Sequence, residues 1–377
     1  MTSGATSPSP LPANPPARFS AAIDVLRDAI VARAFPGCAF GVLAGGSVVL
    51  QGALGHFTYD EASPAVTANM VFDVASITKV AATTAMAMLL YQRGLLDLDM
   101  PLAELLPGFI IGRAAGSGAR LVTLRHLLAH SSGLPGHVEL FRIHRSPAAM
   151  LRACLELPLE APPGERAEYS DLGFILLGKA LEVIAGESLA PWTAREIFVP
   201  LGLAATEYCP SFAARATIPP TEEDDGLRHR VIQGEVQDEN AWALNGVAGH
   251  AGLFSNAPDL LRLAQQILTA SRKASAAESA TLFEPATIEK FAQRQGPPGS
   301  SRALGWDTPS ENSSSGKHFS SHSIGHLGFS GCSLWIDLDA GIAIVLLTNR
   351  TWRDRTSQLI REVRPTFHDA VREALKI

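Results

Sequence analysis

The chain has 377 residues, 46% hydrophobic and 18% charged, with a formal net charge of −6 at pH 7. That is ordinary globular material, long enough for two or three domains and a large core. The charge is spread rather than blocked and no run reaches the ~18 apolar residues of a membrane span, which excludes a nucleic-acid footprint and a transmembrane anchor and points to a small or neutral partner.

Residues 1–17, MTSGATSPSPLPANPPA, are rich in Pro and Ser and hold no apolar stretch of signal-peptide length. They read as a disordered leader, and where Met1 is the natural start the expected location is cytoplasmic. FSAAIDVLRDAIVARAF (19–35) has helical spacing and stops before Pro36-Gly37. CAFGVLA (38–44) and SVVLQGALG (47–55) flank Gly45-Gly46 and predict a β-hairpin. From Ser76 to Arg93 the chain is rich in Ala, Met and Leu, and Gly94 caps it, so Ser76 opens a long apolar helix.

The middle, to about residue 290, is helical pattern broken by Pro and Gly loops, including SPAAMLRACLEL (146–157), LGFILLGKALEVIAG (172–186) and PDLLRLAQQILTAS (258–271). SLWIDL (333–338) and GIAIVLLTN (341–349) form a second hairpin about Asp339-Ala340, and a helix closes the chain. This order predicts an α+β fold: an α/β sandwich with an antiparallel sheet, built from 18–100 and 290–377, with a mainly helical domain inserted over 101–289. Cys38, Cys154, Cys209 and Cys332 are widely separated and read as buried thiols, two long-range disulfides remaining open for an exported protein.

Three motifs carry chemistry. Ser76-Ile77-Thr78-Lys79 is an S-x-x-K at a strand-to-helix transition, and i,i+3 spacing puts both side chains on one helical face, with Cβ atoms about 5–6 Å apart. The helix is otherwise apolar through Met88, so an unpaired Lys79 is costly to bury. Tyr169-Ser170-Asp171 precedes an amphipathic helix; by themselves these read as a half-buried aromatic and an N-cap carboxylate. His326-Leu327-Gly328-Phe329-Ser330-Gly331 lies ahead of SLWIDL, where small residues let a substrate approach a strand edge.

In this order and context the three motifs resemble the β-lactamase-like serine hydrolases, which include class C β-lactamases, D,D-peptidases, β-lactamase-fold esterases and some peptidoglycan amidases. TLRHLLAHSSGLP (123–135), GVAGHAGLFSNAPDLLRLAQQIL (246–268) and GHLGFSGCSLWIDLDAGIAIVLLTNR share the resemblance, which spans about residues 20 to 370. It implies a β-lactamase/transpeptidase-like fold, Ser76 as nucleophile, Lys79 as base or electrostatic partner, and Tyr169 as the proton relay to the leaving group. It also implies an oxyanion hole from the N–H groups of Ser76 and Phe329. Asp171 stands where most relatives carry Asn, and His326-Leu327-Gly328 where lactamases carry Lys-Thr-Gly.

An ionised Asp171 near Lys79 favours the ammonium, which makes Tyr169 the expected base. His326 is expected near neutral and Leu327 has no hydroxyl, so esters, or amides without a neighbouring carboxylate, are expected substrates ahead of lactams and D,D-peptides. Peptidoglycan fragments remain an alternative, as does a non-catalytic sensor on the same scaffold permitted by Asp171 and His326. No cofactor is expected. The spacings of His318, His322 and His326, and of His126 and His130, suit bracing histidines better than zinc.

Overall fold

The computed structural model describes residues 16–114, 116–272 and 281–376. The proposed leader therefore lies outside the described residues apart from Pro16 and Ala17. Strand β1 (Gly37–Ala44) turns through Gly45-Gly46, both with positive φ (59° and 78°), into β2 (Ser47–Gly55). That left-handed pair matches the twist of an antiparallel hairpin, and glycine adopts it without a Cβ penalty. From the far end of the chain come β3 (Ser323–Leu327), β4 (Ser333–Asp337) and β5 (Ile342–Thr348). The five strands form one antiparallel sheet in the order β2-β1-β5-β4-β3. The two chain ends meet in the β1–β5 pair, with Cys38 opposite Thr348 and Ala44 opposite Ile342.

Helices cover both faces, which is why the central strands read as continuous apolar runs. Helix α1 (Ser20–Val31) and the closing helix α8 (Ile360–Ala374) pack on one face, where Phe40, Val42, Ile344 and Leu346 meet Ile23, Leu26, Phe367 and Val371. Phe40 meets Phe367 edge to face, ring centroids 6.0 Å apart. The other face, with Ala39, Leu43, Val345 and Leu347, joins the core of the helical body. That body includes α2 (Ala85–Gln92), α3 (Leu124–Leu128), α4 (Pro147–Glu156), α5 (Asp171–Ala185), α6 (Ala257–Ser271) and α7 (Pro285–Ala292). Leu260, Leu261 and Ile267 of α6 lie in that same core, so a boundary at residue 290 crosses a layer of the sandwich.

Four local features differ from the sequence reading. The segment after Asp73 is not one uniform helix: a 3-10 turn at Ala75–Ile77 leads into a wide π-turn at Lys79–Thr84, and regular α2 begins only at Ala85. Strand β3 was not expected, because SIGHL is short and holds a glycine and a histidine; only its pairing with β4 reveals it. Ser170, not Asp171, caps α5, accepting the Gly173 N–H at 3.0 Å and leaving the Asp171 carboxylate to point elsewhere. Cys209 is exposed, whereas Cys38, Cys154 and Cys332 are the free, buried thiols expected. No described helix is long and apolar enough to cross a membrane.

Phe40 is 3% exposed, and Phe40→Ala removes the ring that joins β1 to α8. A loss of about 3–5 kcal/mol is expected, read from the urea midpoint at unchanged m. The site described next lies elsewhere, so activity per folded molecule is expected to hold at low denaturant.

Candidate active site

The site begins with a backbone kink. Ala75 has φ of +48°, unusual for a residue with a Cβ. Buried Asp73 holds it there: its Oδ1 accepts the Ala75 N–H and its Oδ2 the Gln237 N–H, both at 2.8 Å. Burial, with the Asp238 charge adding, outweighs those bonds and pushes the Asp73 carboxyl up to about 6. Thr78 Oγ1 donates to Ala75 O at 2.6 Å and accepts the Leu253 N–H at 3.0 Å. Thr83 Oγ1 donates to Gly249 O at 2.6 Å. These bonds tie the opening turns of the Ser76 helix to the loop at 249–253.

Lys79 is completely buried, and its ammonium has three acceptors for three protons: Asp171 Oδ1 at 2.7 Å, His250 O at 3.1 Å and Ser76 Oγ at 3.1 Å. The Tyr169 hydroxyl meets Ser76 Oγ at 2.8 Å, and Lys79 Nζ lies 4.8 Å from the Tyr169 ring centroid. Hydroxyl, amine and phenol thus share one hydrogen-bonded cluster, on a cavity of about 520 Å³. Burial works against charge on Lys79, but the Asp171 and Tyr169 charges outweigh it and hold the ammonium above its ordinary value. Burial likewise opposes charge on Asp171, and the Lys79 ammonium with His137 reverses it, holding the carboxyl far below the carboxylate range. Tyr169 is raised, because burial exceeds the help from Lys79. The cluster can therefore hold a fixed positive charge beside a hydroxyl and a phenol, an arrangement suited to moving one proton between two oxygens.

The strand edge is placed by Gly328. A Cβ there would stand 2.5 Å from Val74 O, so only glycine lets the end of β3 close on the turn that carries Ser76. Ser330 Oγ donates to Asp73 O at 2.8 Å and fixes the same approach from the next turn. Leu327, Gly328 and Phe329 line the same cavity as Ser76, Tyr169, Asp171 and His326, with Lys79 bonded behind Ser76. His326 is buried on β3, its ring 5.9 Å from that of Tyr169.

Several residues on the cavity or behind it were not selected from the sequence. His130 was read as a bracing histidine: its Nδ1 accepts the Ser170 N–H at 3.0 Å, and its ring packs 4.7 Å from Tyr169. His126 caps α3 through Thr123. Arg302 lies 5.3 Å over the Tyr169 ring, His137 Nδ1 stands 3.6 Å from Asp171 Oδ2, and His250 Nε2 meets Asp238 Oδ1 at 2.8 Å. Arg350, also on the cavity wall, stacks 4.4 Å over Phe329. Isolated Arg and His residues have no local pattern by which to find them. His318 meets Glu373, His322 meets Asp339, and no trio of metal-ligating side chains gathers among the described residues.

An antiparallel sheet clad by helices, with a Ser-x-x-Lys turn facing its edge strand and a tyrosine from a distant loop, defines a penicillin-recognising type of hydrolase fold. The family model described as Beta-lactamase matches residues 20–363, and the chain belongs to that family. It is 30% identical over 360 residues to an N-acetylmuramyl-L-alanine amidase of Bacillus subtilis, covering 87% of this chain and 80% of the relative. It is also 30% identical over 342 residues to a putative D-alanyl-D-alanine carboxypeptidase of Salmonella typhimurium, covering 82% and 77%. Among solved structures it resembles EstCE1, a hydrolase with promiscuous acyltransferase activity (TM-score 0.74, 23% identity, 94% and 98% covered). A penicillin-binding protein homologue from Caulobacter crescentus is similar in fold (TM-score 0.72, 18% identity, 96% and 98% covered). The protein is a serine hydrolase of ester or amide bonds.

Asp171→Asn tests the buried pair. At pH 7 it is expected to lose about 3 kcal/mol in urea unfolding, since it leaves the Lys79 charge without its counter-ion. A carboxyl held low when folded stabilises above its unfolded value near 4, and that contribution is lost as pH falls below it. The gap between wild type and variant is therefore expected to narrow at pH 3.

Proposed function

We propose that Ser76 attacks the carbonyl of an ester or amide to form an acyl-enzyme, with Tyr169 moving the proton and Lys79 remaining an ammonium. The observation that carries this reading is the pair of contacts on Ser76 Oγ, 2.8 Å from the Tyr169 hydroxyl and 3.1 Å from Lys79 Nζ. Ionising a tyrosine of ordinary pKa at pH 7 costs about 4 kcal/mol. Burial adds to that cost, the adjacent Lys79 charge offsets part of it, and Asp171 keeps Lys79 charged. The phenolate accepts the Ser76 proton as Oγ bonds to the carbonyl carbon. The resulting oxyanion is held by the N–H groups of Ser76 and Phe329, and the phenol then protonates the departing oxygen or nitrogen. Water repeats the sequence in reverse roles and frees the acid.

Two features support substrates without a carboxylate next to the scissile bond. Burial, with Lys79 and Arg302 adding, pushes His326 down to about 3, and Leu327 brings no hydroxyl. A short-chain nitrophenyl ester is expected to be turned over at least about tenfold faster than a chromogenic cephalosporin; the opposite ranking refutes the preference. The likeness to an amidase over 87% of the chain supports a second reading, an amide of a peptidoglycan fragment, tested by muropeptide amides in the same assay.

A fluorophosphonate probe is expected to label Ser76, and Tyr169→Phe to slow acylation by about 10²–10⁴. An unlabelled Ser76 indicates a binding protein instead. Product analysis with added alcohol separates hydrolysis from acyl transfer. The acylation rate is expected to rise on the alkaline side, and Asp171→Asn to move that limb to lower pH. Removing a negative charge makes both the Tyr169 phenol and the Lys79 ammonium release a proton more readily.

A further inference from the structure

One peptide unit on the cavity wall is gripped from behind. Arg364, on α8, is 6% exposed and sends its guanidinium into the turn that follows β3. Its Nη2 donates to Gly328 O at 2.6 Å and to Cys332 O at 3.0 Å, and its Nε to Gly331 O at 3.1 Å. The next carbonyl along, Phe329 O, accepts from Arg350 Nε at 2.8 Å. The carbonyls of this turn are thus filled, whereas the Phe329 N–H meets no acceptor among the described residues. Gly328 and Phe329 line the same cavity as Ser76.

Gly328 O and the Phe329 N–H belong to one planar trans peptide, so they point in opposite directions. A carbonyl held against α8 therefore aims the N–H away from that helix. The bond also has an electronic consequence. A cation on the carbonyl oxygen draws electron density through the amide, which strengthens its N–H as a donor. The Arg364 charge is not spent elsewhere: all three of its bonds go to carbonyls, and no carboxylate pairs with it among the described residues. Burial, with the Arg350 and Arg361 charges adding, pushes the guanidinium down to about 10, which leaves it a cation at neutral pH. A buried cation without a counter-ion is costly, and bracing a turn calls only for neutral donors.

We propose that Arg364 is a positioning residue for acyl transfer, aiming and polarising the Phe329 N–H of the oxyanion hole through the peptide that it clamps. The inference deepens the serine-hydrolase reading and rests on it. The guanidinium touches no reacting atom; it acts on the negative charge that develops on the substrate oxygen, one peptide away.

The test compares an ester with its thionoester, in which sulfur replaces the carbonyl oxygen and takes a hydrogen bond poorly. Arg364→Lys keeps the charge, and Arg364→Gln keeps a donor without charge. Wild type is expected to favour the oxygen ester by about 10² in acylation rate, after correction for the same pair with hydroxide. That ratio is expected to fall about tenfold in Arg364→Gln and to stay within about threefold of wild type in Arg364→Lys. Ratios between substrates cancel general damage to the site. Infrared spectra of a stalled acyl-enzyme, labelled with carbon-13 at the acyl carbonyl, give a second readout. The stretch is expected below that of the denatured adduct in wild type and Arg364→Lys, and to rise in Arg364→Gln. Arg350→Met removes the bond to the neighbouring carbonyl and is expected to disturb ratio and stretch less than Arg364→Gln does. Equal effects of Lys and Gln, an unmoved stretch in Arg364→Gln, or an equal effect of Arg350→Met overturns the proposal by making Arg364 a brace alone. Should Arg364→Gln not fold, Arg364→Lys decides: a retained ratio supports the role of the charge, and a collapsed one overturns it. Fluorophosphonate labelling of wild type runs in parallel. A labelled Ser76 with any of these failures overturns only the role of Arg364, whereas no labelling and no ester turnover overturns the hydrolase reading beneath it.

Discussion

A positive charge with no access to water is the constraint around which this site is arranged. Lys79 is fully enclosed, and an ammonium there survives only because a carboxylate, a carbonyl and a hydroxyl each take one of its protons. Each acceptor comes from a different part of the chain: Asp171 from the first turn of α5, His250 from the loop at 249–253, Ser76 from the preceding turn of its own helix. The pairing of those segments is thus an electrostatic requirement as well as a packing one. The same charge acts on the phenol beside it, so what holds the site together also prepares its chemistry.

The scaffold spends its irregular backbone around that charge. A left-handed Ala75, a 3-10 turn and a π-turn follow one another within ten residues, and Asp73 braces them by bonding to Ala75 and Gln237. Irregular turns of this kind persist where surrounding bonds over-determine them, and they concentrate at functional sites. On the other side, Gly328 presses against Val74, so the edge of a rigid five-stranded sheet forms the opposite wall of the reaction space. A sheet edge offers fixed backbone donors at low entropic cost, whereas a mobile loop has to be ordered on each binding event.

Asp171 and His326 change the polarity of the site together. The Asp171 carboxylate holds Lys79 as an ammonium, and the neutral His326 imidazole adds no cation to the strand. The positive groups at the cavity are instead Lys79, sealed behind Ser76, Arg302 above Tyr169, and the arginines near Phe329. The result is a serine hydrolase centre with its charge drawn inward.

Much of the plan could be read from local pattern. The two hairpins, α1, α4, α5 and α6 are visible because apolar spacing and turn residues operate over a few positions, and Ser76 and Lys79 share a face because one helical turn separates them. Strand β3 was hidden, since SIGHL has no alternation of its own and becomes a strand by pairing with β4. Asp171 looked like a cap, yet Ser170 does the capping and the carboxylate crosses 92 positions of sequence to Lys79. Arg302, His137 and His250 offered no spacing to find, because their relation to Tyr169 and Asp171 exists only across loops. The sequence by itself determined the sandwich and the hydroxyl–amine pair, which rest on periodicity and motif, whereas the phenol was legible only through the resemblance to a known family. Only the tertiary structure decided which charges are sealed from water and which carbonyls they meet, because both depend on acceptors supplied by distant segments.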